Sequence, residues 1–295
     1  MKKVILGSIL AVSSMFAEVV SVLPYAGLID YDNSSSKSSK DKAALLGMHA
    51  TVGTLEYLLE FDYSHLATEY KDSSLEDLKQ NDITLAYGKY YDNFMFRIGD
   101  HYVNTNDDIL GDGNVVIASL GGYTWDDYDK YSYGVEVFYS LYSDGRDEND
   151  PATSNKTINI LQFTPYFSFY KYINKDMTNT LTLKLNYELA PDYEDETYTS
   201  YEIANTFGYK SFFTTLKYYG GEMRTGVRDS GFTVFNTLDL VKNGFDVKLG
   251  YYITPNASLS LSHAQHNSEE YDIITQTMLD EGTYSVTVLT FSYTY

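Results

Sequence analysis

The sequence predicts an all-β protein, an antiparallel up-and-down β-barrel that spans a membrane, and three observations lead to this class. First, 31 of the 295 residues are tyrosine and 15 are phenylalanine, and aromatic and β-branched side chains suit a pleated, half-buried surface. Second, apolar and polar residues alternate with a period of two over runs of about ten residues. Third, short turns alternate with long polar connections, as in a sheet that crosses a bilayer repeatedly.

The first part of the chain has the pattern of a secretory signal peptide. Lys2 and Lys3 give a positively charged start, residues 4–12 are apolar, and Ala17 is a small residue before a plausible cleavage point. The pattern predicts export through a cleaved signal peptide over residues 1–17, followed by one barrel domain over residues 18–295. The alternative is a buried first strand or helix.

Strands are predicted wherever the alternation persists between turn-forming clusters. From position 181 to 189, for example, leucine and tyrosine occupy the odd positions, and threonine, lysine, asparagine and glutamate the even ones. Each strand then has an apolar face for lipid and a polar face for the interior, and is long enough to cross a bilayer when tilted. In order, the candidates are residues 19–30, 43–53, 55–64, 81–91, 94–103, 114–124, 131–143, 157–173, 179–190, 199–209, 212–222, 231–241, 245–253, 258–266 and 284–295.

The number of strands follows from parity, because a barrel with both ends on one side of the membrane needs an even number. If residues 271–279 form a further strand, the number is sixteen, which we favour. If one candidate is false, the number is fourteen, with a short turn at residues 254–257 and a long loop at residues 266–282.

The connections and the strand ends agree with a membrane barrel. Tight turns are predicted at residues 53–54, 92–93, 210–211 and 242–244, and long acidic connections at residues 32–42, 65–80, 104–113 and 144–156. Short turns on one side and longer loops on the other are typical of such barrels, as are tyrosine and phenylalanine at the strand ends, where aromatic girdles form.

The last predicted strand carries a resemblance. Residues 285–295 place Leu289, Phe291, Tyr293 and Tyr295 on one face and end in an aromatic residue. This segment resembles the C-terminal strand of bacterial outer-membrane β-barrel proteins of the porin-like kind. The resemblance implies location in the outer membrane of a Gram-negative cell, contact with its lipid and lipopolysaccharide, and insertion by the barrel-assembly machinery, which reads these four residues.

Charge and cysteine content exclude several other classes of function. The formal net charge is −20 and no basic run occurs, so nucleic acid is not an expected partner. The chain has no cysteine, which excludes disulfides, thiolate metal sites and cysteine nucleophiles. No window of about 18 apolar residues exists, so no α-helical membrane span is predicted.

With the apolar faces assigned to lipid, the charged residues of the strands point into the lumen. The excess of acids over bases there predicts a modest preference for cations. The alternative is a plugged interior in which these charges pair. The pore-lining candidates are Glu56, Glu60, Asp62, Glu136, Glu188, Glu202, Asp239 and Asp246, with Arg97, Lys184, Lys217 and Lys248.

Together these expectations favour a porin-like channel through which small hydrophilic solutes or ions diffuse passively. The alternative is a non-conducting adhesin or receptor barrel that binds a partner through its acidic external loops. No enzyme activity, cofactor or metal site is expected. His263 and His266, near Ser262, form the one cluster with the residue types of an esterase, but side chains three apart on a strand point to opposite faces.

Overall fold

The computed structural model describes residues 19–33, 40–54, 56–71, 73, 76–106, 110–125, 129–144, 157–193, 195–234, 239–271 and 278–295. Within them, fourteen long antiparallel strands form one closed sheet in which each strand pairs with the next along the chain. The first strand pairs with the last, and this contact closes the barrel. Closure leaves no row of unpaired backbone N–H and C=O groups facing lipid.

Most of the long strands are longer than the alternation alone indicates. They are β1 (Val19–Asn33), β2 (Lys40–Gly53), β3 (Tyr57–Tyr70), β4 (Leu78–Tyr90), β5 (Phe94–Thr105), β6 (Leu110–Trp125), β7 (Asp129–Asp144), β8 (Ile158–Asn174), β9 (Met177–Leu189), β10 (Thr197–Tyr209), β11 (Phe212–Gly221), β15 (Leu240–Thr254), β16 (Ala257–Tyr271) and β17 (Met278–Thr294).

Between β11 and β15 the chain leaves the barrel wall. This part contains the two-residue strands β12 (Met223–Arg224), β13 (Val227–Arg228) and β14 (Thr233–Val234), with a 3-10 turn at Asp229–Gly231. β12 continues the ladder on β15, and β13 pairs with β14 as a small hairpin. We call residues 222–234 and 239 the lumenal segment, because their contacts, described below, lie inside the barrel.

The two faces of the strands have the environments that the alternation predicts. On β9, Leu183 and Leu185 are 40% and 47% exposed on the outer surface, whereas Asn186 and Glu188 are 6% and 1% exposed inside. Aromatic residues cluster at the ends of strands, where the rings of Tyr91 and Phe94, for example, stack at 4.4 Å. The outer surface is therefore apolar and suited to lipid.

The predicted fold class, an all-β antiparallel barrel, is confirmed, and the closed sheet has the lower of the two strand numbers considered. The false candidate is 231–241: Phe232 and Val234 belong to the lumenal segment and pack into the interior instead of facing lipid, whereas Leu240 and Val241 begin β15. Residues 235–238 lie outside the described residues. No sixteenth strand occupies the described part of 271–279, because β16 ends at Tyr271 and β17 begins at Met278. Residues 272–277 lie outside the described residues.

One predicted turn is also corrected. Residues 242–244 lie within β15, where the pairing with β16 shifts register between Val241 and Asn243. The Lys-Asn-Gly sequence therefore marks a β-bulge, a feature that uses the same residue types as a turn. The predicted turns at residues 53–54, 92–93 and 210–211 do connect neighbouring strands, as does the turn at residues 254–257.

No helix in the part of the chain that the structure describes has the length and apolar character needed to cross a bilayer. The predicted signal peptide, residues 1–17, lies outside the described residues and stays a prediction.

Candidate functional site

The lumenal segment enters the barrel from the end that carries the long connections and reaches the side chains of distant strands. Backbone turns of unusual geometry direct its path: Gly221 and Gly231 have φ angles of 92° and 99°. Gly231 also lies against Ile117 and Phe138, where a side chain would collide with the Ile117 side chain. Glycine is required there because it alone combines a positive φ with so close an approach.

A buried glutamine of the barrel wall holds the backbone of the segment. The Gln162 side chain, which is 1% exposed, donates from Nε2 to the Val227 carbonyl oxygen and accepts from the Val227 N–H, each at 2.8 Å. The backbone N–H and C=O of Val227 are thus both hydrogen-bonded inside the barrel, where unpaired backbone groups would be costly. Nearby, the Arg224 N–H donates to Glu188 Oε2 at 3.0 Å.

Charged side chains fix the rest of the segment. Lys217 donates to Asp229 Oδ1 at 3.0 Å, and Arg97 donates to the Ser230 carbonyl oxygen at 2.6 Å. The Lys217 ammonium holds the pKa of the Asp229 carboxyl well below its usual range. Asp229 therefore stays ionised at neutral pH. Its side chain is 46% open to the interior space.

On one side of the lumen, apolar packing completes the attachment. Val227 and Leu240 belong to a buried cluster that the walls of β5 to β10 and the connection after β9 supply, and Val234 packs against it. The cluster consists of Val103, Val115, Ile117, Phe138, Tyr142, Ile158, Ile160, Ala190, Tyr193, Tyr198, Val227 and Leu240. This side of the lumen is filled.

On the other side, the lumenal segment leaves a cavity of about 580 Å³. Its walls come from β1 to β5 and from β15 to β17, and Phe232 of the segment forms part of its boundary. The lining combines aliphatic side chains, tyrosine rings and five aspartates with Lys40 and Arg228. A volume of this size is within the usual range for a small-molecule site.

A row of rings follows the cavity wall around the barrel. The ring centroids of Tyr31 and Tyr284 lie 6.0 Å apart, those of Tyr284 and His266 5.0 Å, and those of His266 and Tyr219 5.2 Å. Gly244, on β15, lies between His266 and Tyr219, and a side chain at this position would collide with the His266 ring. The glycine leaves the space that this row of rings needs.

The structure groups most of the predicted pore-lining residues in the lumen. Glu60 pairs with Arg97 and Glu136 with Lys184, while Lys217 pairs with the lumenal segment. Asp62, Asp239 and Asp246 border the cavity, Glu188 and Glu202 are buried, and Lys248 is half-buried. Asp239 belongs to the segment, where its carboxylate accepts from Lys40 at 3.1 Å.

Glu56 is the exception among these candidates. It lies in the short turn before β3, where its backbone N–H donates to the Thr54 hydroxyl, and its side chain is exposed. The alternation of residues 55–64 places Glu56 on the inner face only if the strand begins at residue 55, and β3 begins at Tyr57.

Sequence reasoning missed the residues that hold the segment and shape the cavity. Gln162 and Phe232 carry no signal in the chain, because their roles depend on partners far away in sequence. His49 and His101 could have been found, since both occupy inner positions of predicted strands.

The histidine pair predicted as a weak enzyme candidate is not brought together. His266 is buried inside, whereas the His263 side chain is exposed and lies 2.9 Å from the Thr287 hydroxyl. Opposite faces are what the strand period requires. No group of three metal-ligating side chains occurs among the residues that the structure describes.

Of the four residues predicted as an assembly signal, Leu289 and Phe291 lie on the outer face of β17, and the Tyr293 and Tyr295 rings make an edge contact at 4.6 Å. Their use by an assembly machinery stays a prediction.

Comparison with solved structures supports the fold. The toluene transporter TbuX of Ralstonia pickettii aligns over 95% of this chain and 90% of its own, with a TM-score of 0.52 and 7% identity. A FadL homologue of Pseudomonas aeruginosa aligns over 97% of this chain and 91% of its own, with a TM-score of 0.50 and 10% identity. The toluene transporter TodX of Pseudomonas putida aligns over 95% of this chain and 90% of its own, with a TM-score of 0.50 and 7% identity.

No protein-family model and no curated protein sequence matches the chain. At such low identity the structural likeness establishes a shared fold, and the resemblance to bacterial outer-membrane barrels is confirmed at that level.

Proposed function

We propose that this protein is an outer-membrane channel whose lumen is narrowed, not sealed, by the lumenal segment. The observation that carries the proposal is the cavity of about 580 Å³ beside the segment. A fully plugged barrel would have the segment packed against the whole inner wall. Here one side of the lumen is packed and the other side holds the cavity, as expected of a loop-constricted pore.

The fold supports this location and activity. Its outer face is apolar around the barrel, and the solved barrels of similar fold include toluene transporters. We propose accordingly that the chain is exported and inserted into the outer membrane by the barrel-assembly machinery, and that it contacts lipid and lipopolysaccharide there.

The cavity lining supports a solute that is small and not uniformly hydrophilic. Aliphatic residues such as Ile29, Leu45 and Val288 share the wall with aspartates, so solutes with an apolar part fit better than sugars alone. Five aspartates face Lys40 and Arg228 in this lining, and this excess of acids supports a preference for cations.

The test is conductance of the refolded protein in a planar bilayer. We expect discrete channels whose reversal potential under a KCl gradient is cation-selective, more so at low salt, where the Debye length grows to ~30 Å at 0.01 M. Neutralising Asp62 and Asp246 to asparagine should reduce the selectivity, whereas Asp92→Asn, in an exposed short turn, should leave it unchanged.

Folded, heat-modifiable protein that never conducts would contradict the proposal and favour the adhesin or receptor alternative. An anion-selective reversal potential would contradict the cation preference alone. No catalytic activity is proposed.

A further inference from the structure

One wall of the lumenal cavity carries a carboxylate whose neighbours are a tyrosine and a histidine. Asp62, on β3, is 5% exposed and accepts a hydrogen bond from the Tyr25 hydroxyl at 3.1 Å. Its other oxygen lies 3.5 Å from Nδ1 of His49. No lysine or arginine pairs with it in the part of the chain that the structure describes.

A second carboxylate on the same wall has the same kind of environment. Asp82, on β4, accepts from the Ser64 hydroxyl at 3.1 Å and from Gln80 Nε2 at 2.9 Å. His101 is 1% exposed, and its Nε2 lies 3.6 Å from Asp82 Oδ1, too far for a hydrogen bond. This Nε2 has no hydrogen-bond partner among the described residues, although it is buried at the edge of the cavity.

Two other acids of the cavity show by contrast what is missing here. Asp239 pairs with Lys40 at 3.1 Å, and Asp229 pairs with Lys217 at 3.0 Å. Inside a barrel, a carboxylate that pairs with no lysine or arginine is unfavourable, because hydroxyl and amide donors compensate only part of the lost hydration. Asp62 and Asp82 therefore form a site that an external cation would complete.

Apolar surface lies directly beside these two acids. The Phe232 ring of the lumenal segment meets the His49 ring edge-on, with centroids 4.6 Å apart, and Leu45 and Leu66 line the same cavity. A bare metal ion would not use such a surface, whereas an ammonium group on an apolar body would use both parts. The Arg97 guanidinium already lies over the Phe232 ring, 5.1 Å from its centroid, so this ring offers a ligand apolar contact.

We propose that this wall of the cavity binds a small organic cation, with its ammonium group at Asp62 and Asp82 and its apolar body against Phe232. An ammonium group has three N–H donors, which match the free acceptor positions of two carboxylates. The inference rests on the proposed function only in that the solute reaches the lumen, since binding itself requires no conduction.

The experiment is isothermal titration calorimetry on the folded full chain in detergent, with phenethylamine as the probe. 2-Phenylethanol and 3-phenylpropionate are the neutral and anionic counterparts of similar size. We expect the amine to bind at least about tenfold more tightly than either, since hydrogen bonds between charged groups are the stronger kind.

Variants assign the binding to the two acids. Asp62→Asn with Asp82→Asn should lower the affinity for phenethylamine at least about tenfold and leave that for 2-phenylethanol unchanged. The matched control, Asp92→Asn with Asp176→Asn, removes two acids from short turns outside the cavity and should change neither. If the first pair does not fold, Phe232→Ala serves in its place, and we expect it to weaken phenethylamine binding.

Equal affinity for the three probes, tighter binding of 3-phenylpropionate, or no binding of the amine would overturn the inference. A protein that conducts ions but fails to select the amine overturns the inference alone. A protein that binds the amine but never conducts overturns the proposed function alone.

Discussion

At the scale of single residues, neighbouring positions on β9 face opposite media. Leu185 is exposed on the outer surface, whereas Asn186 is buried and donates to the Ser200 hydroxyl at 3.1 Å while accepting from Thr164 at 2.9 Å. The alternation of the sequence indicates the face of each residue. It does not indicate how tightly the inner residue is packed.

Leu185→Arg is predicted to destabilise the barrel by about 2–4 kcal/mol, because it places a charge on the lipid face near the middle of the membrane. The measurement is equilibrium unfolding in lipid or detergent by denaturant. Ser262→Arg is the control, because Ser262 borders the open cavity and can accommodate the longer side chain. Equal losses for the two variants would contradict the assignment of faces.

Gln162→Ala is predicted to loosen the lumenal segment, because it leaves the N–H and C=O of Val227 unpaired, at a cost of about 1–3 kcal/mol for each buried group. In single-channel recordings we expect larger and noisier currents than in the wild type. Gln265→Ala, at an exposed position of β16, is the matched control and should give the same single-channel currents as the wild type. Unchanged currents in Gln162→Ala would show that the hydrogen bonds between Gln162 and Val227 do not hold the lumenal segment in place.

At the scale of elements, the lumenal segment is a connection that has become part of the interior. Its apolar residues join the buried cluster, and its charged residues pair with the wall at Lys217 and Arg97. Because only two-residue strands and side-chain contacts hold it, the segment is the part of the described chain that we expect to respond first when a contact is removed.

Asp229→Asn is predicted to make channel currents noisier at pH 7, because it removes the ion pair with Lys217. The folded pKa of Asp229 is lowered, so the pair contributes stability at pH values above the ordinary pKa of an aspartate, about 4, and loses it as the pH falls below that value. The difference between variant and wild type should therefore be constant from pH 5 to 8 and shrink below about pH 4. A difference that is absent at pH 7, or that grows as the pH falls, would contradict this assignment.

At the scale of the whole molecule, closure of the barrel depends on β17, which pairs with β1 on one side and with β16 on the other. Deleting residues 291–295 removes the pairs that join Leu259 to Phe291 and Ser21 to Thr294. The ends of β1 and β16 would then lack their partners on β17 and expose unpaired backbone groups to lipid, which is strongly unfavourable.

We predict that this deletion abolishes insertion into the outer membrane, as measured by heat-modifiable protein in membrane fractions. A deletion of the same length within the connection at residues 145–156 is the control and should insert normally. Normal levels of the truncated barrel would show that neither the closing pairs nor the terminal aromatic residues are needed.

The candidate site was predicted only in part. The acids and bases of the lumen follow from the alternation of inner and outer positions along each strand, and so Asp62 and Arg97 were found from the sequence. Glu56 was placed inside because the start of β3 was predicted two residues early. Residues 231–234 were assigned to the wall because an alternating segment has the same pattern whether its apolar face meets lipid or an apolar interior.

The fold class, the tight turns at residues 53–54, 92–93 and 210–211, and the outward face of the long strands follow from the sequence alone. These properties are encoded by residues within one strand, since the side-chain period is two. Contacts between distant parts of the chain are needed to specify that the barrel has fourteen long strands and that a packed cluster and a cavity share its lumen. The contacts responsible join Gln162 to Val227, 65 positions apart, and Arg97 to Ser230, 133 apart, and no local pattern can specify partners at such separations.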